Sequence, residues 1–147
     1  MGMRTFLRYW CAGFGLGYGP KMPGTWGTLL GFPLAWLTHQ DLGLTAILWS
    51  LGMGLSVWAI AHCVEVGEDP GWVVCDEFMA FWGCIAFLPL SQWWQACILF
   101  RLFDIFKPWP LPWLERSLPT AYAIMMDDFV AALYALGLVY GVNHWLL

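Results

Sequence analysis

The chain has 147 residues, 61% hydrophobic and 11% charged, with a mean hydropathy of +0.65 and a formal net charge of −4. That length suits a single domain spanning residues 1–147, and long uncharged runs broken by Gly and Pro predict an integral membrane protein rather than a soluble one. No cluster of Lys and Arg is present to match a phosphate backbone, which excludes nucleic acid as a partner.

Five scattered cysteines, Cys11, Cys63, Cys75, Cys84 and Cys97, form no C-x-x-C pair. They read as small buried hydrophobes rather than a disulfide framework or a zinc site. Arg4 and Arg8 precede an apolar patch, but it runs into Gly-Leu-Gly-Tyr-Gly-Pro instead of a small-residue cleavage site, so no removable signal peptide is expected.

In chain order, residues 3–18 space Phe6, Leu7, Trp10, Cys11 and Phe14 along one helical face beside Arg4 and Arg8, the pattern of an interfacial helix. Between Gly13 and Gly24 the glycines and prolines are too dense for a regular helix. This loop and the helix start after it hold Lys21, Thr25 and Thr28. Backbone N–H groups there could meet an anion, which makes the three side chains candidates for binding a substrate phosphate; alternatively the threonines cap the next helix at a membrane-interface turn. Leu29 to Thr38 and Leu42 to Ala61 then form an apolar helical hairpin with its tip near 39–42, the first arm recruiting residues 24–28 or staying partly submerged.

A polar interlude from His62 ends in Asp76-Glu77, where Asp76 could cap the following helix and Glu77 complement its dipole. Phe78 to Phe100 is uncharged and split by Pro89-Leu-Ser-Gln92, predicting a second, shorter hairpin. Its second arm runs into Arg101, Asp104 and Lys107, which share one side of a helix before Pro108 ends it. These three form either an ion-pair ladder at the membrane surface or part of a site. The proline-rich stretch 108–119 is expected to be irregular. The last element carries Asp127-Asp128 with apolar sequence on both sides, as caps or as site residues, and then stays uncharged to the end as a C-terminal membrane helix.

An Asp deep in a bilayer costs ~2.5 to 3.5 kcal/mol, so Asp76, Glu77, Asp104, Asp127 and Asp128 must be shallow, paired or metal-bound. The hairpins bring all five to one membrane face together with the six basic residues, which makes that face cytoplasmic by the positive-inside rule. Oxygen-only ligands suit a hard cation, Mg2+ before Zn2+, and Arg101 and Lys107 beside them suit a phosphate. A metal-assisted phosphoryl site at the headgroup level follows.

Pro23-Gly-Thr-Trp-Gly-Thr28, Val74-Cys-Asp-Glu-Phe78, Phe100-Arg-Leu-Phe-Asp-Ile-Phe-Lys-Pro-Trp-Pro110 and Ile124-Met-Met-Asp-Asp128 resemble, in order and spacing, the phosphatidylglycerophosphatase A family. The resemblance covers roughly residues 11–140. It implies an all-α fold and Mg2+-dependent hydrolysis of phosphatidylglycerophosphate, a phospholipid substrate, at the bacterial inner membrane. The family's acidic positions fall on Asp76, Glu77, Asp104, Asp127 and Asp128, and its basic and loop positions on Arg101, Lys107, Pro23, Gly24, Thr25 and Gly27. Thr28 stands where the family often has Ser, and Ala80, Ala121 and Ala123 stand where it often has Gly.

The combined expectation is a compact, multi-pass helical bundle with an interfacial N-terminal helix, two helical hairpins and a C-terminal helix, its site facing the cytoplasm. Mg2+ is expected among Asp76, Asp127 and Asp128, with Glu77 or Asp104 completing the shell or acting as base. Attack by water and an aspartyl-phosphate route both stay open, as does a homo-oligomer. A phosphatase for another lipid phosphate, or a cation carrier using the same carboxylates, are the rival readings.

Overall fold

A computed structural model of the chain describes residues 2–146. Among the described residues it is all-helical, with seven α-helices and no strand. They are α1 (Met3–Cys11), α2 (Pro23–Thr38), α3 (Leu42–Cys63), α4 (Cys75–Ile85), α5 (Trp93–Phe106), α6 (Leu111–Ser117) and α7 (Thr120–Gly141). Two of them, α3 and α7 with its continuation to Leu146, are long and apolar enough to cross a membrane.

Helix α4 lies at the centre. Its residues Phe78, Met79, Phe81 and Ile85 are fully buried, as an apolar helix requires when neighbours cover it on several sides. Helix α2 approaches it through small residues. A Cβ added at Gly27 would lie 2.6 Å from Val74 Cβ, and one at Gly31 would lie 2.8 Å from the Phe81 ring. Only residues without a side chain permit that approach. On another side α3 supplies Gly52 against Met79, and the Trp49 indole donates to the Met79 carbonyl at 2.8 Å.

The expected hairpins exist as connections but not as packed pairs. Helix α2 packs chiefly on α4 and α3 chiefly on α1, while α4 and α5 each pack chiefly on helices other than one another, with α7 the partner they share. The small-residue stripe of α2 and the length of α7 decide this. A stripe of glycines lets backbones approach, and that packing outweighs adjacency in the chain.

Three local expectations also change. Helix α1 stops at Cys11, where Gly13 adopts φ +58°. The stretch 108–119 is not wholly irregular, because α6 forms within it with Pro112 in its first turn, where no backbone N–H is needed. Neither Asp76 nor the loop threonines cap a helix: α4 is preceded by Val74, and α2 by Met22 in the left-handed region at φ +52°.

The loop before α4 is held firmly. The Val74 amide donates to Cys11 O at 2.7 Å, Trp72 stacks on Tyr18, and the Arg8 guanidinium lies 4.6 Å from the Trp72 ring centroid. A side chain at Gly17 would strike the Trp72 carbonyl oxygen at 2.0 Å. This clamp sets the position of the first turn of α4 and so of Asp76 and Glu77.

Candidate active site

Three helices deliver the charged side chains to one place. Asp76 and Glu77 come from the first turn of α4, Arg101 and Asp104 from the last turns of α5, and Asp127 and Asp128 from the interior of α7. Lys107 follows α5 in the left-handed region at φ +48°, so it leaves the helical ladder expected of it. Its ammonium bonds Asp127 Oδ2 at 2.9 Å and Glu115 of α6, rather than Asp104.

The carboxylates fall into two overlapping groups. Ligand atoms of Asp76, Glu77 and Asp128 lie within 4.8 Å of one another, and so do those of Asp104, Asp127 and Asp128. All five predicted acidic residues are therefore brought together, although Asp127 groups with Asp104 rather than with Asp76. Asp127 and Asp128 lie two turns inside α7, so neither is a cap.

Burial makes this costly. Asp76, Asp127 and Asp128 are 7%, 7% and 2% exposed, and Asp76 Oδ1, Glu77 Oε2, Asp127 Oδ1 and Asp128 Oδ2 are buried without a hydrogen-bond partner. Two carboxylates at the 4.8 Å limit repel by roughly 3–4 kcal/mol at an effective dielectric of about 20. Burial pushes the Asp76 carboxyl up to about 7, and burial followed by the charges of Asp76 and Asp104 holds Glu77 well above the ordinary glutamate range. A cation among these oxygens relieves both the desolvation and the repulsion. The donor set, oxygen only, fits a hard divalent metal ion.

The basic groups sit at the edge of the cluster. Arg101 bonds Asp104 Oδ2 at 2.5 Å and lies 3.9 Å from Glu77. Burial alone would lower the Lys107 pKa, but its bonds to Glu115 and Asp127 outweigh this and raise it, so it stays charged.

The start of α2 closes over Glu77 and Arg101. A Cβ at Gly24 would lie 2.7 Å from Glu77 Oε1 and 3.1 Å from both terminal nitrogens of Arg101. Thr25 is half-buried in this first turn. Thr28 is fully buried and its hydroxyl donates to Gly24 O at 2.8 Å, so it supports the turn. Lys21 is exposed in the preceding loop and forms no ion pair among the described residues.

A cavity of about 540 Å³ opens beside Asp127, lined also by Asp69, Glu115, Arg116 and Thr120. Sequence reasoning did not single out Glu115 or Arg116 as site residues. They lie in a helix that the surrounding prolines concealed, and no helical spacing links Glu115 to Lys107.

An all-helical chain with buried oxygen ligands beside Arg and Lys has the make-up of a site for a divalent cation and a phosphate together. The family model described as phosphatidylglycerophosphatase A matches residues 9–143, and the chain belongs to that family of phosphatases.

Among curated proteins, it is 35% identical over 138 residues to phosphatidylglycerophosphatase A of Escherichia coli strain K12, covering 90% of this chain and 80% of that one. It is 37% identical over 145 residues to phosphatidylglycerophosphatase A of Haemophilus influenzae, covering 92% and 87%. A Bacteroides thetaiotaomicron protein provisionally named as a phosphatidylinositol-3-phosphatase is 35% identical over 149 residues, covering 92% and 91%. No solved structure matches. The enzyme is a phosphoric monoester hydrolase.

Proposed function

We propose that this chain hydrolyses phosphatidylglycerophosphate to phosphatidylglycerol and inorganic phosphate in a Mg2+-dependent reaction at the cytoplasmic face of the bacterial inner membrane. The observation that carries the reading is the set of four buried, unpartnered carboxylate oxygens beside Arg101 and Lys107. Membership of the phosphatidylglycerophosphatase A family supports phosphatidylglycerophosphate as the substrate.

Asp76, Glu77 and Asp128 would hold the metal ion. A divalent cation held there would supply Lewis-acid charge neutralisation to the phosphoryl group and favour ionisation of the attacking water. Arg101 presents a planar fork to the phosphoryl oxygens, and the Asp104 and Glu77 carboxylates keep that fork aimed. Lys107, held charged between Asp127 and Glu115, offers a second positive centre, and both of its partners line the cavity that Arg116 also lines. Gly24 allows the first turn of α2 to cover Arg101, which excludes water from one side of the site.

Helices α3 and α7 support membrane integration. Only 28% of the most apolar stretch of α3 is buried within the protein, and 22 residues reach about 33 Å, enough for the hydrocarbon core. Phe106, Trp109 and Trp113 are exposed next to Lys107, the composition of a headgroup boundary.

The test is phosphate release by purified protein in mixed micelles containing phosphatidylglycerophosphate, phosphatidic acid or phosphatidylinositol 3-phosphate, with Mg2+ or with EDTA. Release from phosphatidylglycerophosphate that EDTA and Asp128→Asn both abolish is the expected result. Preference for either other lipid would replace the substrate assignment. Undiminished release in EDTA would overturn the metal-dependent reading.

A further inference from the structure

We infer that the carboxylate cluster holds two divalent cations, with Asp128 shared between an Asp76–Glu77 site and an Asp104–Asp127 site. The inference deepens the metal-dependent reading above and rests on it. The two three-carboxylate groups have only Asp128 in common, and within each the ligand atoms lie within 4.8 Å of one another.

The independent observation is where the unpartnered oxygens fall. The residues that carry them are Asp76 and Glu77 of the first group, Asp127 of the second, and Asp128, which belongs to both. Asp128 is 2% exposed and Asp127 is 7% exposed, so water does not satisfy these atoms from outside. Where a carboxylate of the second group has a basic partner, a single oxygen is engaged: Asp127 Oδ2 by Lys107 and Asp104 Oδ2 by Arg101. Each keeps its other oxygen for a ligand. A single ion in the first group would leave Asp127 Oδ1 buried and unpaired, which costs free energy that a second ion recovers.

Charge points the same way. Five ionised carboxylates face Arg101 and Lys107, and Lys107 also pairs with Glu115, so at least three negative charges are left uncompensated in the cluster. One divalent cation still leaves the site negative, facing a phosphate monoester that itself carries about −1.5 to −2 at neutral pH. A second cation removes that residual negative charge and so favours binding of the substrate phosphate.

The experiment uses the full chain purified in detergent, with Mn2+ as the probe. Bound Mn2+ is counted by equilibrium dialysis, and its electron paramagnetic resonance spectrum reports whether two ions share a bridging ligand. The expected result is two Mn2+ per chain with an exchange-coupled spectrum. Asp104→Asn and, independently, Glu77→Gln should each reduce this to one uncoupled ion, so the inference does not depend on one variant folding. A single Mn2+ per chain in the unaltered protein, or two ions without coupling, would overturn the shared site while leaving a one-metal phosphatase in place. No bound Mn2+ would overturn both.

Discussion

Arg101 is held by Asp104 at 2.5 Å and by Glu77 at 3.9 Å, with a side chain 22% exposed. Both partners also belong to the carboxylate groups, so in the proposed reading the guanidinium would link metal and phosphate without itself being a ligand. Arg101→Lys keeps the charge and loses the fork; removing such an oriented donor costs about 10²–10³-fold in turnover. Arg101→Glu should abolish turnover, while both variants still bind Mn2+ in dialysis. Loss of metal binding along with activity would reassign Arg101 to holding the carboxylates in place. Glu115 gives a contrasting case. Its pair with Lys107 has side chains 33% and 37% exposed, a range in which ion pairs contribute about 0–1 kcal/mol. Glu115→Gln should therefore shift the thermal midpoint little, and Lys107 keeps Asp127 as an anchor. The acidic pair at 127–128 was legible in the sequence because adjacent charges in an apolar run demand a partner. Glu115 was not, since an acidic residue beside Arg116 in a proline-rich stretch resembles any solvated surface pair.

Helix α2 shows how an element can define the site without contributing a charge. Gly24, Gly27 and Gly31 recur along the face that meets α4, and each lies where a methyl group would enter the space of a neighbour. At Gly27 that neighbour is Val74 Cβ at 2.6 Å, with Glu77 Oε2 at 3.1 Å. Gly27→Ala gains up to about 1 kcal/mol of helix propensity but overpacks by roughly 1–3 kcal/mol. The expected outcome is a lower thermal midpoint in detergent and a drop in phosphate release, because Val74 and Glu77 move together. A raised midpoint with full activity would show that α2 can withdraw without disturbing α4. The existence of α2, α3, α5 and α7 was readable from apolar runs and their breaks. Their partners were not, because adjacency in the chain suggested α2 with α3, whereas close approach through glycines joins α2 to α4. Helix α6 was hidden for the opposite reason: prolines that forbid a helix interior are tolerated in its first turn.

For the molecule as a whole, the carboxylate cluster and the apolar exterior constrain one another. Leu51 on α3 is 67% exposed, and Leu37, Ile47 and Phe87 are exposed as well, a surface that water does not favour and lipid does. The cluster requires the reverse, since carboxylates are costly in hydrocarbon unless they lie near the headgroups with their counter-charges. A membrane placement satisfies both if α3 and α7 cross while the cluster stays near one surface. Leu51→Lys separates this arrangement from a soluble one. In water, a lysine on an exposed helical position is tolerated and improves solubility. At the centre of a spanning helix it costs ~2.5–3.5 kcal/mol, although it lies far along α3 from the cluster-side terminus. The expected outcome is that the unaltered chain stays in the membrane pellet after carbonate extraction, while Leu51→Lys shifts a large share of the chain to the soluble or degraded fraction. A lysine variant that remains fully active and carbonate-resistant would mean that α3 lies along the surface, and the cluster would then owe its position to α7 alone.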